Sequence, residues 1–210
     1  MIYFHKTSNE IIQPLLNDAR TADNYRSGLV FECLVNDFCG KCYLCEDKAT
    51  TIHIDHFKPI AKGGEKYSWT NLYFSCAHCN MTKGAKYWPL LDCTQETNKV
   101  WESIEIKPVS FFPRLSLEVI AHPFPGKETE CINTCRLVSA CINGTTQIKR
   151  MEAEHLRQRM LVVYKELFKA INSGNIGAIR TLISDTAPFA GMQRWTLKNE
   201  RPELFNRLLG

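Results

Sequence analysis

Two C-x2-C pairs, Cys42-Tyr-Leu-Cys45 and Cys76-Ala-His-Cys79, stand thirty residues apart in the chain, and no other feature restricts the fold as strongly. Each pair marks a tight turn that presents two thiolates, and two such turns together complete a tetrahedral shell around one Zn²⁺. Four thiolates leave no position for water, so the spacing predicts a structural zinc and puts any catalysis elsewhere. Cys39 lies three residues before Cys42 and allows a second register in which it replaces Cys45. Of the ten cysteines, Cys33, Cys93, Cys131, Cys135 and Cys141 have no C-x2-C partner. They read as buried thiols, with a second metal site from Cys131, Cys135 and Cys141 as the alternative.

A cysteine count this high means disulfides in a small secreted protein, but thiols and metal ligands in a reducing compartment. The opening residues MIYFHKTSNEIIQ lack the basic and apolar regions of a secretory signal, and no run of eighteen apolar residues occurs. The expectation is a cytoplasmic protein without membrane contact. Its net charge of +4 is modest, but the distribution is uneven. Residues 39–90 carry 7 basic and 4 acidic side chains, and residues 147–210 carry 11 and 6. Positive charge therefore collects in those two segments, either for contact with phosphates or as ordinary solvated faces.

Periodicity divides the chain into four. Residues 1–38 read as two short helices, the first capped by Ser8 and confined by Pro14, the second carrying Tyr25, Leu29, Val30 and Cys33 at helical spacing. Residues 39–90 form the cysteine-bounded module. Residues 91–144 read as irregular chain with short strands, from the alternation of Ile104 and Ile106 and of Leu115, Leu117 and Val119. Residues 145–210 read as helical, with one long helix from Thr145 to Ser173 stopped by Gly174.

Inside the module stand His53-Ile54-Asp55-His56-Phe57-Lys58-Pro59-Ile60, Gly63-Gly64, Trp69-Thr70-Asn71-Leu72 and, straight after the second cysteine pair, Asn80-Met81-Thr82-Lys83-Gly84. This arrangement resembles the HNH branch of the ββα-metal nucleases: a DH pair ending one strand, an Asn on the next, and a His or Asn after a C-x2-C at a helix start. The resemblance covers about fifty residues. It implies an α+β fold with a zinc-stapled ββα-metal core, N-terminal helices and a C-terminal helical extension, and an endonuclease that hydrolyses phosphodiester bonds in DNA or RNA.

The chemistry explains the residue types. Phosphodiester hydrolysis needs an activated water and a cation on the scissile phosphate, for which a neutral His and oxygen ligands are suited. By the resemblance His56 is the general base, Asp55 and Asn80 bind Mg²⁺ or Mn²⁺, and Asn71 holds the loop that orients His56. His53 replaces the commoner acidic residue and shares a strand face with Asp55, which makes it an auxiliary ligand, a phosphate contact or a structural residue. Lys58, Lys83 and Lys86 are candidate phosphate contacts.

The phrasing IHIDHFKPIAKGG and YSWTNLYFSCAHCNMTKG, with Glu154-His155-Leu156-Arg157-Gln158-Arg159 on a later helix, is also similar to the HNH subunits of bacterial anti-phage systems of the Septu type, including retron-linked ones. That similarity implies an ABC-like ATPase partner, with the helix at 145–173 as a docking surface and Arg157 and Arg159 as contacts to partner or substrate. The rival reading is a non-catalytic zinc module that binds nucleic acid or protein. Such a module needs the four cysteines but not Asp55, His56 and Asn80 together.

Overall fold

In the computed structural model, residues 1–17, 24–26, 28–48, 50–111 and 115–210 are described. Helices α1 (Asn9–Leu16) and α2 (Gly28–Asp37) precede a hairpin of β1 (Ile52–His56) and β2 (Leu72–Cys76), and α3 (Ala77–Lys83) follows β2 directly. Ser8 takes the position before α1, but its hydroxyl makes no capping bond. The second helix begins at Gly28, which leaves Tyr25 in a separate 3-10 turn over Asn24–Arg26.

The β1–β2 pair is antiparallel, with Ile52 opposite Cys76, Asp55 opposite Tyr73 and His56 opposite Leu72. Among the described residues this sheet has only these two strands, so the outer edge of β1 is left open. Alternation sends His53 and Asp55 to one face and Ile52, Ile54 and His56 to the other. Helix α3 covers the first face, where it meets His53 and Asp55. The N-terminal helices cover the second, where Phe31 packs on Phe74 and Tyr25 on His56.

A four-residue helix α4 (Val100–Ser103) leads into a second antiparallel hairpin, β3 (Ile104–Ser110) and β4 (Ser116–Ala121). Beyond it the sequence-based expectation of irregular chain needs correction, because α5 (Glu128–Asn143) is a sixteen-residue helix. Cys131, Thr134, Leu137, Val138, Cys141 and Ile142 form its buried stripe. Two of these are cysteines, acting here as small apolar residues. The long helix α6 spans Gln147–Asn172; the Thr146 hydroxyl accepts from Lys149 N at its start, and Gly174 takes a positive φ of 65° beyond its end. Ala153, Leu156, Met160, Leu167 and Ala170 form its buried face, whereas Ile148 and Met151 are 71% and 67% exposed. Helices α7 (Ile176–Leu182), α8 (Ala190–Glu200) and α9 (Pro202–Leu209) complete the chain.

Among the described residues a small apolar cluster of Leu167, Ala170, Ile179, Ile183, Leu197 and Phe205 joins the C-terminal helices, and a larger one runs through the rest of the molecule. Phe4 and Phe38 from the N-terminal segment, Tyr43 and Tyr73 from the module, and Leu137, Met160 and Met192 from the additions belong to the same buried cluster. The C-terminal segment also closes on the first cysteine turn: the buried Lys41 ammonium donates to the carbonyls of Asp185 at 2.5 Å and Ala187 at 2.9 Å. Gly191 N donates to Glu46 Oε2 at 2.8 Å. A Cβ at Gly191 would lie 2.7 Å from Glu46 Oε1, so this contact requires glycine. Among the described residues no helix is long and apolar enough to cross a membrane.

Candidate active site and metal centre

Cys42, Cys45, Cys76 and Cys79 are all buried, and their sulfur atoms lie within 4.8 Å of one another. Cys45 Sγ and Cys76 Sγ are 3.9 Å apart. A tetrahedral shell with zinc–sulfur bonds of about 2.3 Å separates its sulfurs by about 3.8 Å, so the donor set and its spacing suit zinc. Among the described residues this is the one such cluster of His, Cys, Asp and Glu, and it excludes Cys39. Cys131 and Cys135 instead donate to the backbone carbonyls of Ser103 and Val119.

Side chains surround the cluster and lock it to the additions. His78, between the two ligands of the second pair, pairs with the Cys141 carbonyl of α5 at 2.8 Å and with Glu152 of α6 at 2.9 Å. Arg159 of α6 reaches Asp47, just after the first pair, with two nitrogens. Arg157 donates to the Ile142 carbonyl at 2.7 Å and pairs with Glu154. Both arginines therefore also tie the protein together internally.

The loop between β1 and β2 is fixed by Asn71. Its Oδ1 accepts from Lys58 N at 2.7 Å, while its Nδ2 donates to the carbonyls of Lys58 at 3.1 Å and Glu65 at 2.9 Å. One buried amide thus joins both ends of the loop, and the close approach excludes any side chain at Gly64. A Cβ there would meet Lys58 O at 1.9 Å.

Two side-chain bridges cross from β1 to α3, about one helical turn apart. Near the start of the helix, Asn80 Nδ2 and His53 Nδ1 are 3.1 Å apart, both half-buried. Near its end, Lys83 Nζ lies 3.0 Å from Asp55 Oδ1 and 2.9 Å from Oδ2, and donates to the His56 carbonyl at 2.6 Å. The Tyr43 hydroxyl donates to Asp55 Oδ2 at 2.8 Å. Burial pushes the Asp55 carboxyl above its ordinary range, while Lys83 and Tyr43 pull it back. Burial likewise lowers the Lys83 ammonium against the pull of Asp55.

These bridges redistribute the expected site. Asn80 meets His53 rather than Asp55, and Asp55 is held by a lysine. Lys83 is only 2% exposed, so it is an internal counter-ion and not the phosphate contact expected of it. Lys86 is exposed beside Tyr87, and Lys58 is partly exposed; both remain able to meet a phosphate.

His56, at the end of β1, lies against the other face. Its Nε2 is 3.0 Å from the Lys66 carbonyl, which can only accept, so Nε2 is the donor, and in the neutral imidazole Nδ1 then holds the lone pair. Its ring makes an edge contact with Tyr25 at 5.5 Å. A pocket of about 380 Å³ opens at β1, lined by His53 and Asn80 together with Ile52, Ile54, Phe31 and Arg26. Residues from both faces of the strand thus converge around its open edge.

Three contributors escaped sequence reasoning: Tyr25, Arg26 and Lys6. Lys6 Nζ donates to the Leu72 carbonyl at 2.7 Å and to that of Trp69, on either side of Asn71, and lies over the rings of Trp69 and Tyr73. Burial lowers its pKa to about 7, against opposing pulls from Asp92, Asp37 and Cys93. No local pattern marks such residues, because their partners are tens of positions away.

Residues 39–86 match the HNH endonuclease family. No curated protein and no solved structure matches the chain. The matched stretch is the cysteine-bounded module with both strands and α3, and the match supports nuclease activity in this module.

Proposed function

We propose that the chain is a metal-dependent HNH endonuclease in which His56 is the general base and Asn71 the residue that holds its loop in place. The observation that carries this reading is the hydrogen bond from His56 to the Lys66 carbonyl in a loop pinned by Asn71. It leaves Nδ1 as the acceptor for a proton from water, the role a histidine base must fill. Asn80, His53 and Asp55 would hold a Mg²⁺ or Mn²⁺ ion. The fit rests on their chemistry: the Asn80 amide stands 3.1 Å from His53 Nδ1 at the pocket, so an amide oxygen and an imidazole nitrogen could both be offered to one ion there. An amide turned about its axis presents its oxygen in the same place. A hard cation bound there supplies charge neutralisation at the scissile phosphate and the leaving oxygen. Asp55 contributes negative charge on the same face, shared with Lys83. Lys58 and Lys86 hold the flanking phosphates.

The sequence similarity to Septu-type subunits supports a role as the nuclease effector of an anti-phage defence system, restrained by an ABC-like ATPase. The exposed apolar residues Ile148 and Met151 on α6 suit such docking.

The test incubates the purified full chain with plasmid DNA and with total RNA in Mg²⁺, beside a His56→Ala variant. The variant is expected to lose about 10²-fold or more of the cleavage rate while keeping zinc and fold. Cleavage by the variant at the native rate would return the chain to the reading of a non-catalytic zinc module.

A further inference from the structure

The turn that fixes His56 also carries an aromatic and basic surface that the catalytic roles leave unused. Lys66 offers its carbonyl to His56, and the next residue, Tyr67, is 42% exposed. The Tyr67 ring lies 5.8 Å from that of Tyr25, which in turn touches His56, so three rings run from the surface to the candidate base. Lys66 Nζ stands 5.0 Å from the Tyr67 ring and 5.5 Å from that of Tyr25. The Arg26 guanidinium lies 5.2 Å from the Tyr25 ring and also lines the pocket of His53 and Asn80.

We propose that Tyr67, flanked by Lys66 and Arg26, is a stacking platform for an unpaired nucleobase next to the scissile phosphate, so that the protein acts on single-stranded or locally unpaired nucleic acid. The proposal rests on the nuclease reading above and adds the class of substrate. Cations beside an active site hold phosphates of any strand and do not discriminate. An exposed ring does discriminate. In a duplex each base is covered above and below by its neighbours, whereas an unpaired base has a free face for an aromatic side chain. Lys66 beside both rings and Arg26 beside Tyr25 give the backbone of such a strand cationic partners, the pairing of charge and aromatic rings that single-strand grooves use. Tyr67 is also dispensable to the turn, whose main chain is held from outside: Gln13 Nε2 donates to the Tyr67 carbonyl at 2.8 Å. Removing the ring therefore removes the platform and leaves the loop.

The experiment measures binding by fluorescence anisotropy with the full chain carrying His56→Ala, so that no probe is cut. The probes are labelled oligo-dT, oligo-U and a blunt DNA duplex of the same length. Adding Tyr67→Ala is expected to weaken binding of at least one single strand by about five-fold or more, and to change duplex binding by less than about two-fold. Tyr67→Phe, which keeps the ring, is expected to retain the single-strand affinity. The oligo-dT and oligo-U arms then tell which sugar is accepted. Equal losses on single strand and duplex, or no loss on either single strand, would overturn the platform. Because this reads binding in a cleavage-blocked protein, its failure leaves the role of His56 standing, and a failure of the His56 assignment leaves the platform standing.

Discussion

The two clusters built on the β1–β2 hairpin face opposite demands. At the cysteine cluster, four buried thiols converge, and a cleft of about 360 Å³ beside Cys45 and Cys76 is lined by His78 and by Glu152 and Arg159 of α6. Next to it, His53 and Asn80 line a pocket of about 380 Å³ at the open edge of β1, and His56 ends that strand. A structural metal needs its coordination shell filled, whereas a site for the proposed hydrolysis must admit water and a phosphate chain. Between His53 and His56 on β1 sits the Asp55–Lys83 pair, which is both buried and charged.

Breaking the cysteine cluster should have the largest effect. Zinc in small Cys-ligated modules contributes on the order of 10 kcal/mol to folding. Cys76→Ala is therefore expected to lose zinc and the cooperative unfolding transition, read by metal analysis and thermal denaturation. A variant that keeps one zinc per chain and the native midpoint would show that the thiol cluster is not a staple.

The next comparison separates the two bridges of α3. Lys83→Met leaves the Asp55 carboxylate buried without its cation and should cost about 3–5 kcal/mol. His53→Ala removes a half-buried contact and should cost about 1 kcal/mol or less in the metal-free protein. Urea denaturation of both variants measures this directly. Equal costs would mean that Lys83 is not the internal counter-ion the geometry makes it.

The smallest effect concerns Lys6, and its sign is set by linkage. Unfolded, this lysine titrates near 10.5; folded, near 7. Between those values the unfolded chain binds more protons than the folded one, so burying Lys6 costs most below pH 7 and the cost fades as pH rises. Wild-type stability should thus rise relative to Lys6→Met between pH 7 and 9, at no more than about 1.4 kcal/mol per pH unit. Parallel pH profiles for the two proteins would show that Lys6 does not titrate in this range.

What could be read without the structure was whatever depends on short spacing. The C-x2-C pairs named their four ligands, because a knuckle is a local turn, and the structure brings together those four and not Cys39. The long helix from Gln147 to Asn172 was legible, as Thr145–Ser173, through its periodicity and its Gly174 stop, while the Thr146 cap emerged from the structure. Helix α5 was not, because cysteines and a threonine hold positions where a reader looks for leucine. Its cysteines also invite a metal reading that the structure does not support, since Cys131 and Cys135 bond to carbonyls.

The sequence by itself determined the residue types of the site: the histidines, Asp55, the two asparagines and the four cysteines. It could not determine how they pair. Whether Asn80 meets Asp55 or His53, whether Lys83 faces solvent or Asp55, and which distant residues support Asn71 were decided by how α3 and the N-terminal segment pack against the hairpin. The physical reason is reach. Metal-ligand turns and helix periods are fixed within a few residues by backbone geometry, while a buried charge takes its partner from whatever chain the core places beside it, and that partner has no fixed distance in sequence.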